Sequence, residues 1–213
     1  PGLPSLVAGF DVQGDLDELL IHHTLASPYN LAADLVLTDP VGPMAIGLDL
    51  VASQVHLAQL EEALPDVVVD LRAGVEGGLE DLAVGSEFVV VYGQERIVGS
   101  LKAALRGQEL VVETLSVLLQ DTPSRLDVSG TVLMAESFNT TAEVTWRDLN
   151  WPPTGVPDYR GVRGRLALAG TPDSYRFDAD GEFLMPGAIP MTTRVAGHGS
   201  RERVDSDVGL VLP

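Results

Sequence analysis

The chain of 213 residues has no cysteine, which excludes a disulfide framework and a thiolate metal site and leaves the compartment open. Aromatic residues are scarce, with two Trp, four Tyr and five Phe, so few large rings are on hand to fill a core. Basic residues are few as well: thirteen Lys and Arg stand against thirty-one Asp and Glu, for a net charge of −18. A surface of that sign repels phosphate backbones and anionic head groups, which argues against nucleic acid and against a basic-patch contact with a membrane. The acidity instead keeps an apolar-rich β surface soluble. No apolar run approaches the ~20 residues of a membrane helix; the longest candidates, such as Phe88–Tyr92, are strand-sized. No signal-peptide pattern is present. The chain opens on Pro1-Gly-Leu-Pro4 and stops inside a strand pattern at Val208–Pro213, as expected of a piece of a longer polypeptide.

What the chain does have is alternation. From Arg163 to Phe183, Leu166 and Leu168 alternate with Arg165 and small alanines. A Gly-Thr-Pro-Asp turn follows, and then Tyr175, Phe177, Ala179 and Phe183 alternate with Arg176, Asp178, Asp180 and Glu182. Period two with one apolar and one charged face predicts half-buried strands, and strand, turn, strand predicts a hairpin. The same signal predicts strands at Gly9–Gly14, Leu19–Thr24, Tyr29–Thr38 and Met44–Leu50, and at Val67–Arg72, Leu79–Val84, Glu87–Tyr92 and Arg96–Leu105. It continues at Leu110–Leu119, Arg125–Met134, Thr140–Arg147, Pro190–Ala196 and Val204–Leu212. Gly, Asp, Asn and Pro punctuate the pattern every ~8 to 12 residues, the spacing of an all-β meander. Val12–Ile21, Val75–Val84 and Leu168–Phe177 share a strand, glycine, acidic turn, strand shape around Gly14, Gly77 and Gly170. The unequal separations argue against a strict propeller or solenoid. One stretch departs from period two. Leu57, Leu60 and Leu64 fall at i, i+3, i+7, with Ser53 as an N-cap and Pro65 just beyond the end, which predicts a short amphipathic helix near 54–64 lying on the sheet and a possible sub-boundary at 53–65.

Candidate chemistry is thin. His22 and His23 are adjacent in a strand and point to opposite faces, so they cannot share a metal, and His56 and His198 are isolated. Asp178-Ala-Asp-Gly-Glu182 has the opening of a calcium loop without its remaining ligands, and reads better as a charged strand face and turn. Gly197-His-Gly-Ser200 lacks the frame of a nucleophile turn and reads as a hairpin turn. Trp146 and Trp151 read as core or edge filling, with a lipid contact as the alternative. Asn139-Thr-Thr141 is a formal glycosylation acceptor. No triad, paired carboxylate, metal site or cofactor motif stands out, so the chain is not expected to be an enzyme.

Gly164–Phe177, Thr145-Trp-Arg-Asp-Leu-Asn-Trp-Pro152, Ser124–Gly130 and Leu60-Glu-Glu-Ala-Leu-Pro65 resemble the repeated hairpins of the TamB family, translocation and assembly module proteins of the AsmA-like superfamily. The likeness spreads over nearly the whole chain as texture, and is most specific at the Trp146, Trp151, Pro152 cluster and the Gly-Thr-Pro-Asp-Ser-Tyr hairpin. Membership implies a periplasmic bridge anchored in the inner membrane of a Gram-negative bacterium. It also implies a long β-sheet curled into a U-shaped, taco-like trough that carries phospholipid acyl chains toward the outer membrane. The family's partner is an outer-membrane β-barrel insertase, TamA. Neither the anchor nor a partner-binding domain is recognisable in these residues, so those contacts are not placed on them.

The residues lead to a similar expectation. A sheet with one apolar face buries it against helices, another sheet or a ligand. One short helix covers little, so a closed sandwich or barrel competes with an open trough. The preference for Leu, Val, Ala and Gly over aromatics favours the trough, because sandwich cores use rings to fill ~10 Å between sheets. The expected lining is Leu31, Leu35, Leu48, Val69, Leu71 and Leu101, then Val128, Val144, Leu166, Leu168, Tyr175 and Phe177. About fifteen strands at ~4.8 Å make a conduit section of ~70 Å. The alternative is a structural or adhesive β-repeat module of a large envelope or secreted protein; a hydrolase with a cryptic site is the weakest reading.

Overall fold

The computed structural model describes residues 7–26, 29–60, 66–134, 138–151, 158–185, 187 and 189–211. The chain forms two units, Pro1–Gly107 and Gln108–Pro213. The first carries strands β1 (Ala8–Gly14), β2 (Glu18–Leu25), β3 (Leu31–Thr38) and β4 (Ala45–His56), one helical turn α1 (Leu57–Leu60), then β5 (Val67–Gly78), β6 (Asp81–Tyr92) and β7 (Glu95–Arg106). The second carries β8 (Glu109–Leu119), β9 (Arg125–Leu133), β10 (Asn139–Trp151), β11 (Tyr159–Thr171), β12 (Ser174–Met185), β13 (Ile189–Gly199) and β14 (Val204–Val211). Within each unit every strand pairs antiparallel with its neighbours in the chain. The fold is therefore an all-β antiparallel meander. Among the described residues β1 pairs only with β2 and β14 only with β13, so neither unit's strands close on themselves into a barrel.

Short turns hold the register. Tyr92 pairs with Glu95 around a two-residue turn in which Gly93 takes φ 61°, and Thr171 pairs with Ser174 around Pro172-Asp173. Asn30, Asp39 and Asp121 also take positive φ, the conformation that short polar side chains tolerate best in turns.

Two expectations are corrected. Leu79–Val84 and Glu87–Tyr92 are not separate strands: Asp81–Tyr92 is one strand running through Gly85, while Leu79 and Glu80 form the turn. A side chain at Gly85 would meet nothing within 4 Å, so this glycine breaks the sequence pattern without breaking the ladder. The helix is the second. Ser53 is not an N-cap but lies inside β4, which pairs with β5 as far as His56 against Val68. Helical structure begins only at Leu57; the segment 61–65 lies outside the described residues. The extended conformation prevails here because Val55 and Val69 pair across strands, where β-branched residues pack well. An irregularity between Ala52 and Val55 absorbs the register change. There Gln54 takes φ 53° and its backbone N–H donates to Asp70 Oδ1 at 2.8 Å, a bulge held by a side chain.

Taken by itself, neither unit folds its described strands into a second layer. Among the described residues the packing within each unit runs chiefly between strands adjacent in the chain, and α1 packs against β5. Among the described residues no large side chain is fully buried, and the buried apolar ones are Ala52, Val67, Ala103 and Ala104. A sandwich would bury a row of large side chains between its sheets; neither unit does.

Candidate functional site

Directly paired residues of an antiparallel ladder share a face, so the register assigns each side chain to a side. In the first unit Val12, Ile21, Leu35, Leu48, Val75, Val84 and Ala103 fall in one row across seven strands. Parallel rows on that face hold Leu31, Leu71 and Phe88, and Ala33, Leu50 and Leu101. The second unit has a matching row: Leu115, Val128, Val144, Leu166, Ala179, Val195 and Val208. The residues expected to line a groove are thereby grouped. Leu31, Leu35, Leu48, Val69, Leu71 and Leu101 share the apolar face of the first unit. Val128, Val144, Leu166, Leu168, Tyr175 and Phe177 share that of the second. The sequence reading passed over Ile21, Val75, Val84 and Val195, which the same period-two frame reaches when it is carried from strand to strand through the turns.

These side chains shelter one another without being covered. All twelve are half-buried, as are Val36, Val68 and Val89 on the opposite face of the first unit, while Val12 and Val208 at the ends of the two rows are exposed. Aliphatic neighbours ~4.8 Å apart cover each other's flanks and leave their tips free.

The few rings on this side lie down over glycines. Phe88 pairs with Gly99, Trp146 with Gly164, and Phe177 and Tyr175 with Gly197 and Gly199. In each case a Cβ on the glycine would overlap the ring opposite. Trp146 also reaches Gly161 and Gly181 and meets Phe183 with ring centroids 6.1 Å apart at 41°. Trp146, read from the sequence as core or edge filling, is a half-buried part of the apolar face. Trp151 ends β10 opposite Tyr159, and Pro152 lies outside the described residues.

The other side is ionic. His22 and His23 diverge as strand neighbours must: His22 Nδ1 is 2.6 Å from Asp34 Oδ1 on the polar face, and His23 meets Phe10 edge-on at 6.1 Å on the apolar face. Asp178-Ala-Asp-Gly-Glu182 is the middle of β12 and not a loop; Glu182 pairs with Arg163 and Asp178 with Arg194. Gly197-His-Gly closes β13, with His198 3.9 Å from Asp205. Arg165 reaches Glu143 at 3.0 Å, and Arg125 grips Asp127, whose other partner is the Ser116 hydroxyl. The Arg125 guanidinium holds the Asp127 carboxyl below its ordinary value, and Arg163 does the same to Glu182. The backbone N–H groups of Asp17 and Glu18 lower Asp15. Among the described residues no group of three or more His, Asp or Glu is placed to hold a metal ion, and no helix is long and apolar enough to cross a membrane. No protein-family model matches the chain, and neither a curated protein nor a solved structure does.

Proposed function

We propose that the apolar face of each unit is a bed for phospholipid acyl chains, and that the chain is a section of a periplasmic lipid bridge between inner and outer membranes. The observation that carries this reading is the unbroken aliphatic row across seven strands in each unit, with no second layer of described strands from the same unit over it. Six steps of ~4.8 Å make each row ~29 Å long, about the hydrocarbon thickness of a bilayer, so one acyl tail fits within one unit. Each methylene leaving water contributes ~0.8 kcal/mol, and a tail held this way needs no polar contact. The strands curl into a U-shaped trough with the apolar face inward, head groups at the open mouth and the acidic face toward solvent. The role is carriage without chemistry. The resemblance of Gly164–Phe177 to TamB-family hairpins adds the periplasmic setting and an outer-membrane β-barrel insertase of the TamA kind as the partner of the full-length protein.

Adjacent residues on opposite faces supply the test. Leu35→Lys and Leu168→Lys place a charge on the apolar faces, while Val36→Lys and Ala167→Lys place it on the polar ones. A lysine stem lies along apolar surface with its head in water, so all four variants fold. Photo-crosslinking to acyl chains is expected to fall at least tenfold in the first pair and to hold in the second. Equal crosslinking in all four variants sinks the proposal. Calcium-dependent folding without bound lipid would favour an adhesive module, and dimerisation at the expense of lipid would show that a second copy covers the face.

A further inference from the structure

We propose that Arg125, Arg147 and Arg163 form a binding site for a phosphate group on the polar face of the second unit, apart from the apolar bed and independent of what lies on it. The register sets Arg147 of β10 directly opposite Arg125 of β9 on one side and Arg163 of β11 on the other. Direct partners in an antiparallel ladder share a face and stand ~4.5–5.5 Å apart, so the three stems rise within ~11 Å of one another. All three residues are exposed. They are drawn from only thirteen basic residues in a chain of net charge −18.

Like charges placed directly opposite repel and weaken a strand pair. Further along the same face the register avoids that cost: Arg165 stands opposite Asp180, and Asp180 opposite Arg194. The row of three arginines is only partly neutralised. Arg125 gives Nε and one Nη to Asp127, and Arg163 gives one Nη to Glu182, so each outer guanidinium has N–H groups left over for a further acceptor. Arg147, in the middle, is in no ion pair among the described residues. The acid next to it in the chain, Asp148, takes φ 52° and gives its carboxylate to Arg160. The centre of the row thus lacks an acceptor that several forks can share. A carboxylate has two oxygens and faces one fork squarely, whereas a phosphate has oxygens enough for a fork on each side. One phosphate over Arg147 is reached from both flanks and turns two repulsive contacts into attractive ones. A nucleic-acid strand, which repeats its charge along its length, meets the acidic remainder of the surface. A single compact phosphate does not, because at ~0.15 M salt charges more than ~8 Å away are largely screened.

Calorimetric titration of the full chain with inorganic phosphate, at an ionic strength held constant with chloride, reads the site. Arg147→Gln is expected to weaken binding by about tenfold through the loss of charge-assisted hydrogen bonds. Arg194→Gln, which removes an equal charge from the same face where Arg194 faces Asp178, is expected to leave the affinity nearly unchanged. Without phosphate, Arg147→Gln is expected to melt no lower than the parent, because it relieves repulsion. A lower melting temperature combined with an unchanged phosphate affinity would assign Arg147 to stability and overturn the inference. Vesicles of phosphatidylcholine with and without phosphatidic acid identify the source of the phosphate. Capture that needs both phosphatidic acid and Arg147 marks it as a lipid head group, and titration by inorganic phosphate without capture marks it as part of a soluble compound; either result supports the site. No binding in either arm overturns it, as does a loss in Arg194→Gln equal to that in Arg147→Gln, which would show a general response to charge.

Discussion

Gly14, Gly77 and Gly170 take φ of 130°, 131° and 132°, and at each a Cβ would run into the backbone carbonyl of the residue four places on. Only glycine occupies that region without strain. The loose repeat visible in the sequence is thus a repeated backbone device that turns one strand into the next. Gly77→Ala is expected to destabilise the protein by ~1–3 kcal/mol, measurable as a lower urea midpoint, whereas Gly93→Asn, at φ 61° with nothing nearby, is expected to be near neutral. Among the carboxylates, Asp127 is lowered chiefly by its bond to Arg125. A carboxyl lowered in the folded state stabilises above its unfolded value, ~3.9, and loses that contribution as pH falls through the folded value. Asp127→Asn is therefore expected to be less stable than the parent at pH 7, by on the order of 1 kcal/mol because the pair is partly exposed. The two stabilities should converge below pH ~4. A gap that persists at pH 2 would assign the effect to packing. The sequence did not announce the Arg125, Asp127, Ser116 cluster, because Ser116 stands on a neighbouring strand whose register is set by the bulge between Val112 and Leu115.

At the level of elements, alternation located nearly every strand, since period two is imposed by the pleat itself. It misjudged two places where a neighbouring strand overrode the local signal. Gly85 reads as a break and is carried through by its pairing with Gly74 and Lys102. Ser53 reads as a cap, but the pairing of Val55 and His56 with β5 keeps that stretch extended. Strands that lean only on their neighbours lose support at the edge. β1 is exposed along its whole length, and all but one residue of β14 is exposed. Hydrogen exchange is expected to be fastest in β1 and β14 and to slow toward β5 and β6 in the first unit and toward β11 in the second. Uniform protection across all strands would mean that something covers the edges. Exposed ion pairs such as Arg165 with Glu143 are expected to add little, and Arg165→Ala should leave the thermal midpoint nearly unchanged.

For the molecule as a whole, a net charge of −18 opposes folding through self-repulsion. Raising ionic strength from ~0.01 to ~0.15 M shortens the screening length from ~30 to ~8 Å and is expected to raise the melting temperature; a fall would indicate that the ion pairs matter more than the repulsion. The all-β class, the meander and the sidedness of Leu35, Leu48, Val144 and Leu166 followed from the amino acids in order, because alternation and turn residues are local properties that a pleated backbone must obey. Whether those leucines and valines would meet a second sheet is not a local property. It depends on where strands far apart in the chain come to rest, and within each unit the pairing of the described strands with their chain neighbours leaves none of that unit's own described strands folded back over its face. The placement of rings over glycines is likewise a matter of register across strands, since Trp146 and Gly164 lie on separate strands and become neighbours only when β10 and β11 zip together.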